Sequence, residues 1–360
     1  GATDIHVEPT EQEVVIRYRL DGELQAGGTY PKATQSSLVT RLKIMAGLNI
    51  AESRLPQDGR FRVPAEGRQV DLRISTFPTL HGEDLVLRVL DRGRVRLNLE
   101  GLGLSAPDLK LIREALLRPH GLLPVTGPTG SGKTTTLYSA LRELDTSKKS
   151  VLTLEDPVEY ELDGVRQSQI NVRAGLTFAS GLRSMLRHDP DVILVGEMRD
   201  HETVQIALSA ALTGHLVLTT VHTNSAAGVI PRLLDMGAEP FVLASSLHLV
   251  VAQRLVRVLC QQCRTPVEAP DEVRKRYGLG DAEIYRARGC SACRQTGFRG
   301  RLGIFELLPI TKEVEEAVYQ SLPADEIQRR AGRPTLLQDG LRKVVAGVTS
   351  LEEVLKVAGA

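Results

Sequence analysis

Apolar and polar positions alternate with a period of two through much of the first ninety residues. Glu13–Leu20 places Ile16, Tyr18 and Leu20 on one face before Asp21-Gly22 breaks the run, and residues 60–63, 69–75 and 84–90 read as further strands. Between them Leu38, Leu42, Met45 and Leu48 recur at helical spacing, which predicts a helix over 36–48. The pattern is that of a small mixed α/β domain ending near Asp91. Residues 92–105 carry scattered glycine and charge without sustained periodicity, as expected of a linker that lets its flanking domains move.

Beyond the linker the period changes. Ser105 stands where it can cap a helix over 106–117, and Gly121–Thr126 is an unbroken apolar strand leading into a glycine-rich turn. Further apolar runs at 151–154, Val192–Val195 and Leu216–Val221 alternate with helical segments, the signature of a parallel sheet flanked by helices. After residue 310 three short amphipathic helices are expected, over 312–320, 324–330 and 351–357. The fold class is therefore α/β in two domains, 1–91 and 106–360, with the last helices occupying 311–360.

Composition narrows the function. The chain of 360 residues is 42% hydrophobic and 25% charged, enough apolar surface for two or three cores. A formal charge of +1 is not the basic footprint of a protein that binds phosphate backbones, so direct nucleic-acid binding is not expected. No uninterrupted apolar run reaches the roughly 18 residues of a membrane span, and the N-terminus lacks signal-peptide features. These features lead to the expectation of a soluble, cytoplasmic chain.

The most informative segment is Gly127-Pro128-Thr129-Gly130-Ser131-Gly132-Lys133-Thr134, which fits G-x-x-x-x-G-K-[ST] between an apolar strand and a helical segment starting with Thr135. Its glycines let backbone N–H groups converge on phosphate oxygens, Lys133 supplies a positive charge to the β and γ phosphates, and the Thr134 hydroxyl can ligate Mg²⁺. ATP and Mg²⁺ are the expected cofactors. A glycine-rich turn that binds nothing is the plainer alternative, and the order of strand, loop, Lys-Thr and helix opposes it.

Acidic groups follow at strand ends. Glu197, after Val192–Val195 and Gly196, is assigned as catalytic base, and Glu155 as support for Mg²⁺ or water. Both can also be read as solvated strand ends. His215 and His222 bracket Leu216–Val221, where an imidazole can sense a γ-phosphate or simply pack.

Four cysteines form two pairs, Cys260 with Cys263 and Cys290 with Cys293, separated by 26 residues. The spacing suits one tetrahedral Zn²⁺ with no open position, hence a structural site, within a module spanning 256–303. A redox dithiol or free structural cysteines are the alternatives.

Taken in order, the loop, Leu154-Glu-Asp-Pro-Val-Glu159, Val195-Gly-Glu-Met-Arg-Asp200, Thr213-Gly-His215 and His222-Thr-Asn resemble the Walker A, Asp box, Walker B and His box of bacterial secretion ATPases. Gly1-Ala-Thr-Asp-Ile-His-Val-Glu-Pro9 and Arg54-Leu-Pro-Gln-Asp-Gly-Arg60 are similar to the second N-terminal, PAS-like domain of that family. The resemblance covers nearly the whole chain, and its cysteine module matches the type IV pilus assembly and type II secretion ATPases more than the retraction motors. Met198 and Ser225 depart from common family residues without removing a group assigned to chemistry.

The resemblance implies a RecA-like ATPase domain, a homo-hexamer at the cytoplasmic face of the inner membrane, an inner-membrane platform protein as partner, and a chain truncated at its N-terminus. It gives His222 a place in catalysis, and it brings Arg73 and Arg88 to the nucleotide phosphates, where arginines from a second domain stabilise transferred charge. Arg54 and Arg60 are secondary candidates, and arginines on a half-buried strand are the plainer reading of all four. A nucleic-acid motor on the same core and a weakly hydrolysing ring scaffold are the competing functions.

Overall fold

The computed structural model describes residues 2–65, 67–90 and 97–358. The expected domain end at Asp91 and residues 92–96 of the expected linker lie outside them, as do the first residue and the last two. The chain divides into two compact units, Gly1–Val95 and Arg96–Ala360.

In the first unit, β1 (Asp4–Pro9), β2 (Glu13–Leu20) and β3 (Glu23–Pro31) precede α1 (Gln35–Met45), and β4 (Gln57–Ala65), β5 (Arg68–Thr79) and β6 (Gly82–Leu90) follow. They form one antiparallel sheet in the order β3-β2-β1-β6-β5-β4. Alternate residues such as Val14, Ile74 and Leu85 point to one face and bury against Val39 of α1, as the period-two pattern requires. The helix stops at Met45, three residues before the expected end. Gly47 turns left-handed at φ 67°, its N–H donates to Ile44 O, and the Leu48 N–H donates to Lys43 O, which closes the last turn. Lys43 lies on the buried face of α1, where Glu83 pairs with it at 2.5 Å and Glu52 O accepts from it at 2.6 Å.

The second unit opens with α2 (Ala106–Leu116), capped by the Ser105 hydroxyl accepting from Asp108 N–H. There follow β7 (Gly121–Thr126), α3 (Lys133–Arg142), β8 (Val151–Glu155), β9 (Arg166–Gln169), α4 (Phe178–Met185), β10 (Val192–Val195), α5 (His201–Leu212) and β11 (Leu216–Val221). Then come α6 (Val229–Asp235), α7 (Pro240–Ser246), β12 (Leu249–Leu259), β13 (Thr265–Val267), α8 (Asp271–Tyr277), β14 (Ile284–Arg286) and β15 (Phe298–Pro309). Helices α9 (Lys312–Tyr319), α10 (Ala324–Ala331), α11 (Leu336–Val345) and α12 (Leu351–Ala358) complete it.

Seven strands run in the order β15-β12-β7-β11-β10-β8-β9, all parallel except the edge strand β15. Because helices cover both faces, successive residues of the central strands enter different cores: Ile193 and Val195 join one, Val192 and Leu194 the other. Such strands read as continuous apolar runs, which is how they were legible. Residues 97–104, expected to be linker, are docked: Leu99 is fully buried, and Leu97, Leu102 and Leu104 pack on the same core. Among the described residues no helix is long and apolar enough to cross a membrane.

Candidate functional site

The glycine-rich loop leaves the C-terminal end of β7, at the centre of the sheet, and enters α3 at Lys133. In a parallel sheet this end, beside a helix N-terminus, collects phosphate-binding groups. Gly130 and Gly132 adopt φ of 79° and 90°, a region that favours glycine, so the turn depends on them. Gly127 is buried while Pro128, Thr129 and Gly130 form an exposed crown, and Thr134 and Thr135 sit half-buried in the first turn of α3. Ser131 is buried, and its hydroxyl oxygen has no hydrogen-bond partner among the described residues. The Lys133 ammonium donates to Gly127 O at 2.8 Å and Pro128 O at 3.0 Å. Burial, and then the charge of Arg254, push it down to about 8, against the pull of Glu197.

Glu197 follows β10 and lies within the electrostatic reach of Lys133. Its side chain is 12% exposed, with one oxygen 2.6 Å from Arg199 Nε and the other 3.7 Å from His222 Nε2. His222 follows β11, beside β10 in the sheet, so the parallel register brings the two together. Burial and the positive charges of Lys133 and Arg199 lower the His222 pKa, which favours the neutral imidazole. His215, at the other end of β11, meets Ala210 O through Nδ1 at 3.0 Å, a local contact with the end of α5.

Glu155 ends β8 and is buried, its carboxylate accepting from Tyr138 Oη, from Thr153 Oγ1 and, at 3.1 Å, from Gln167 Nε2. These bonds fasten α3 to β8 through Tyr138. The expected support of metal or water is thus joined by a holding role that the sequence did not suggest.

Two further polar residues were missed. Gln253 and Arg254 on β12 are 2% and 8% exposed, beside the point where β7 becomes the loop. Gln253 Oε1 accepts from Thr136 Oγ1 at 2.6 Å. Arg254 donates to Gln253 O at 3.0 Å and to Asn224 O at 2.8 Å. A polar pair in the apolar run 249–256 was the available signal.

Arg73 and Arg88 belong to the first unit and stand directly opposite each other on β5 and β6, with Arg60 opposite Arg73 on β4. Arg60 is therefore within a strand, and Arg54 pairs with Glu52 at 3.1 Å. Arg88 Nε lies 3.2 Å from Asp4 Oδ1.

The four cysteines converge beyond β12 and before β15. Their Sγ atoms all lie within 4.8 Å of one another, with separations of 3.9 Å for Cys260–Cys290, 3.8 Å for Cys263–Cys293 and 3.7 Å for Cys290–Cys293. Tetrahedral thiolates at about 2.3 Å from zinc stand roughly 3.8 Å apart, so the donor set fits that ion. Burial pushes the Cys263 thiol up to about 11, whereas against burial the amides of Cys290 and Gly297 help bring Cys293 down to about 6.

A family model described as Type II/IV secretion system protein matches residues 1–356. The chain is 50% identical to the Type II secretion system ATPase E of Vibrio cholerae serotype O1, covering 99% of this chain and 72% of that protein. It is 47% identical to the Type IV pilus assembly ATPase PilB of Thermus thermophilus, covering 98% of this chain and 41% of that protein. Among solved structures, the pilus retraction motor PilT with bound ADP aligns with a TM-score of 0.66 at 27% identity, over 100% of this chain and 94% of that one. The Legionella pneumophila ATPase DotB shares the fold, with a TM-score of 0.71 at 24% identity, over 100% and 92% of the two chains.

Proposed function

The chain belongs to the type II/IV secretion system protein family, and on that premise we propose that it is an ATP-hydrolysing motor that powers type II protein secretion. The observation that carries this reading is the convergence of Lys133, Glu197 and His222 at one end of a parallel sheet, next to the phosphate loop. Type IV pilus assembly is the second reading, favoured by the similarity to a pilus assembly ATPase.

In this mechanism the backbone N–H groups of Gly127 and of Thr129 to Thr135 and the Lys133 ammonium hold the β and γ phosphates. Thr134 would hold Mg²⁺, which supplies charge neutralisation at the phosphates when bound. Glu197 accepts a proton from the attacking water, and Arg199 pairs with its carboxylate at 2.6 Å. His222, neutral in this setting, orients that carboxylate and meets the γ-phosphate. Glu155 acts at one remove, by holding α3 through Tyr138. Arg73 and Arg88, from the first domain, serve as cations over the transferred phosphoryl group. Four cysteines would hold a structural zinc, and the working form is a hexamer docked on an inner-membrane platform protein at its cytoplasmic face, with no direct nucleic-acid contact in the cycle.

Turnover and nucleotide affinity of the wild type, Lys133→Ala and Glu197→Gln test this reading. Lys133→Ala is expected to lose nucleotide binding, and Glu197→Gln to bind within about threefold of wild type while losing at least ~100-fold in kcat. Equal, near-zero rates in wild type and Glu197→Gln would leave a nucleotide-binding scaffold instead, and stimulation by DNA would point to a nucleic-acid motor.

A further inference from the structure

Arg254 is costly where it stands. It is 8% exposed, and its described donations all go to neutral oxygens, Gln253 O, Asn224 O and, at 3.5 Å, Asn224 Oδ1. Among the described residues no carboxylate forms an ion pair with it. The carboxylate whose charge reaches it, Glu306, is engaged with the N–H groups of Ala226 and Leu336. A buried guanidinium without a paired anion is not there for stability, since desolvation outweighs what neutral acceptors return.

Its position explains what it does instead. A methyl built on Gly127 would lie 2.5 Å from Gln253 O and 3.1 Å from Arg254 Nη1, so these two residues form the floor under the start of the phosphate loop. Gln253 Nε2 lies 2.7 Å from a methyl built on Gly132, at the loop's other end. From that floor the fork of Arg254 spans to Asn224, two residues beyond His222. The same segment is stitched to the loop's approach by Thr126 Oγ1, which accepts from Thr223 N–H at 2.8 Å. Farther on, Ala226 N–H donates to Glu306 at 2.7 Å, and the other oxygen of Glu306 accepts from Leu336 N–H at the start of α11.

We propose that Arg254 is a positioning residue that ties the floor of the phosphate loop to the segment carrying His222, so that His222 is set against Glu197 only while this bridge is whole. The proposal rests on the reading of Lys133, Glu197 and His222 as hydrolytic machinery. Planar, two-pronged geometry is what the bridge needs: a guanidinium reaches both carbonyls at once, and an ammonium serves one.

A double-mutant cycle in the full chain decides it, with Arg254→Met or Arg254→Lys combined with His222→Ala and kcat and KM for ATP as readouts. Arg254→Met is expected to lower kcat at least about tenfold with a smaller change in KM, and Arg254→Lys to lose less. Adding His222→Ala to Arg254→Met should then cost less than about threefold more, because the imidazole has already lost its placement. Losses that multiply overturn the proposal, as does a raised KM at unchanged kcat, which would make Arg254 a plain phosphate-binding cation. Should Arg254→Met fail to fold by thermal melting, the same cycle with Arg254→Lys carries the same two outcomes. Failure of the underlying reading looks different: Lys133→Ala or Glu197→Gln would hydrolyse ATP like the wild type.

Discussion

Arg73 and Arg88 put two positive charges opposite one another on β5 and β6, and Arg88 is countered on its other side by Asp4. Like charges directly opposite one another in a sheet are destabilising, so the pair is not there for the stability of the first unit. An anion supplied from elsewhere would balance it, and the proposed occupant is the γ-phosphoryl group. Arg88→Ala should therefore leave the thermal midpoint of the first unit nearly unchanged and nucleotide affinity nearly intact, while turnover falls at least about tenfold. Unchanged turnover would remove Arg88 from the chemistry. At this same scale the placement of Lys133 and Thr134 at the start of α3, and of Glu197 just after β10, was legible because each stands in a contiguous motif. The holding role of Glu155 was not, because its donors include Tyr138 and Gln167, brought in by α3 and β9.

Strands and helices show where local pattern suffices and where it does not. The central strands were read to within a residue, since a core strand covered on both faces is an apolar run of fixed length. Helix α11 was overlooked although Thr335 and Gln338 form a capping box at its start, a signal present in the sequence. The cysteine module is held to its surroundings by Leu259 N–H donating to Val348 O and by Arg264 donating to Gly347 O. A metal that binds only the folded arrangement of the four cysteines contributes its binding energy to folding, so the module should depend on it. Protein purified without chelator is expected to carry about one zinc per chain, and Cys290→Ser to lower the melting temperature of the second unit. Less than about half an equivalent of zinc, with an unchanged melting temperature, would argue against the site.

At the scale of the whole molecule, the proposed output is work done by a ring. Subunits that hydrolyse ATP in a coupled ring are poisoned by an inert neighbour. When Glu197→Gln chains are mixed and reassembled with wild type in equal amounts, activity per wild-type chain should drop by more than about twofold. Activity that follows simple dilution, or chains that stay monomeric with ATP and Mg²⁺ in sedimentation, would contradict a coupled hexamer.

By itself the sequence determined the α/β class, the phosphate loop and the four-cysteine set, because strand period, loop spacing and ligand spacing are all written within a few consecutive residues. It also carried enough similarity to place the family. Only the tertiary structure decided that residues 97–104 dock on the core, that Glu155 clamps α3, and that Arg254 lies under the loop. The bonds responsible join residues far apart in the chain, as Thr136 to Gln253 across 117 positions, and such neighbours exist only once the sheet order is set. Periodicity reports which face of an element is buried; it does not report which distant element lies against it.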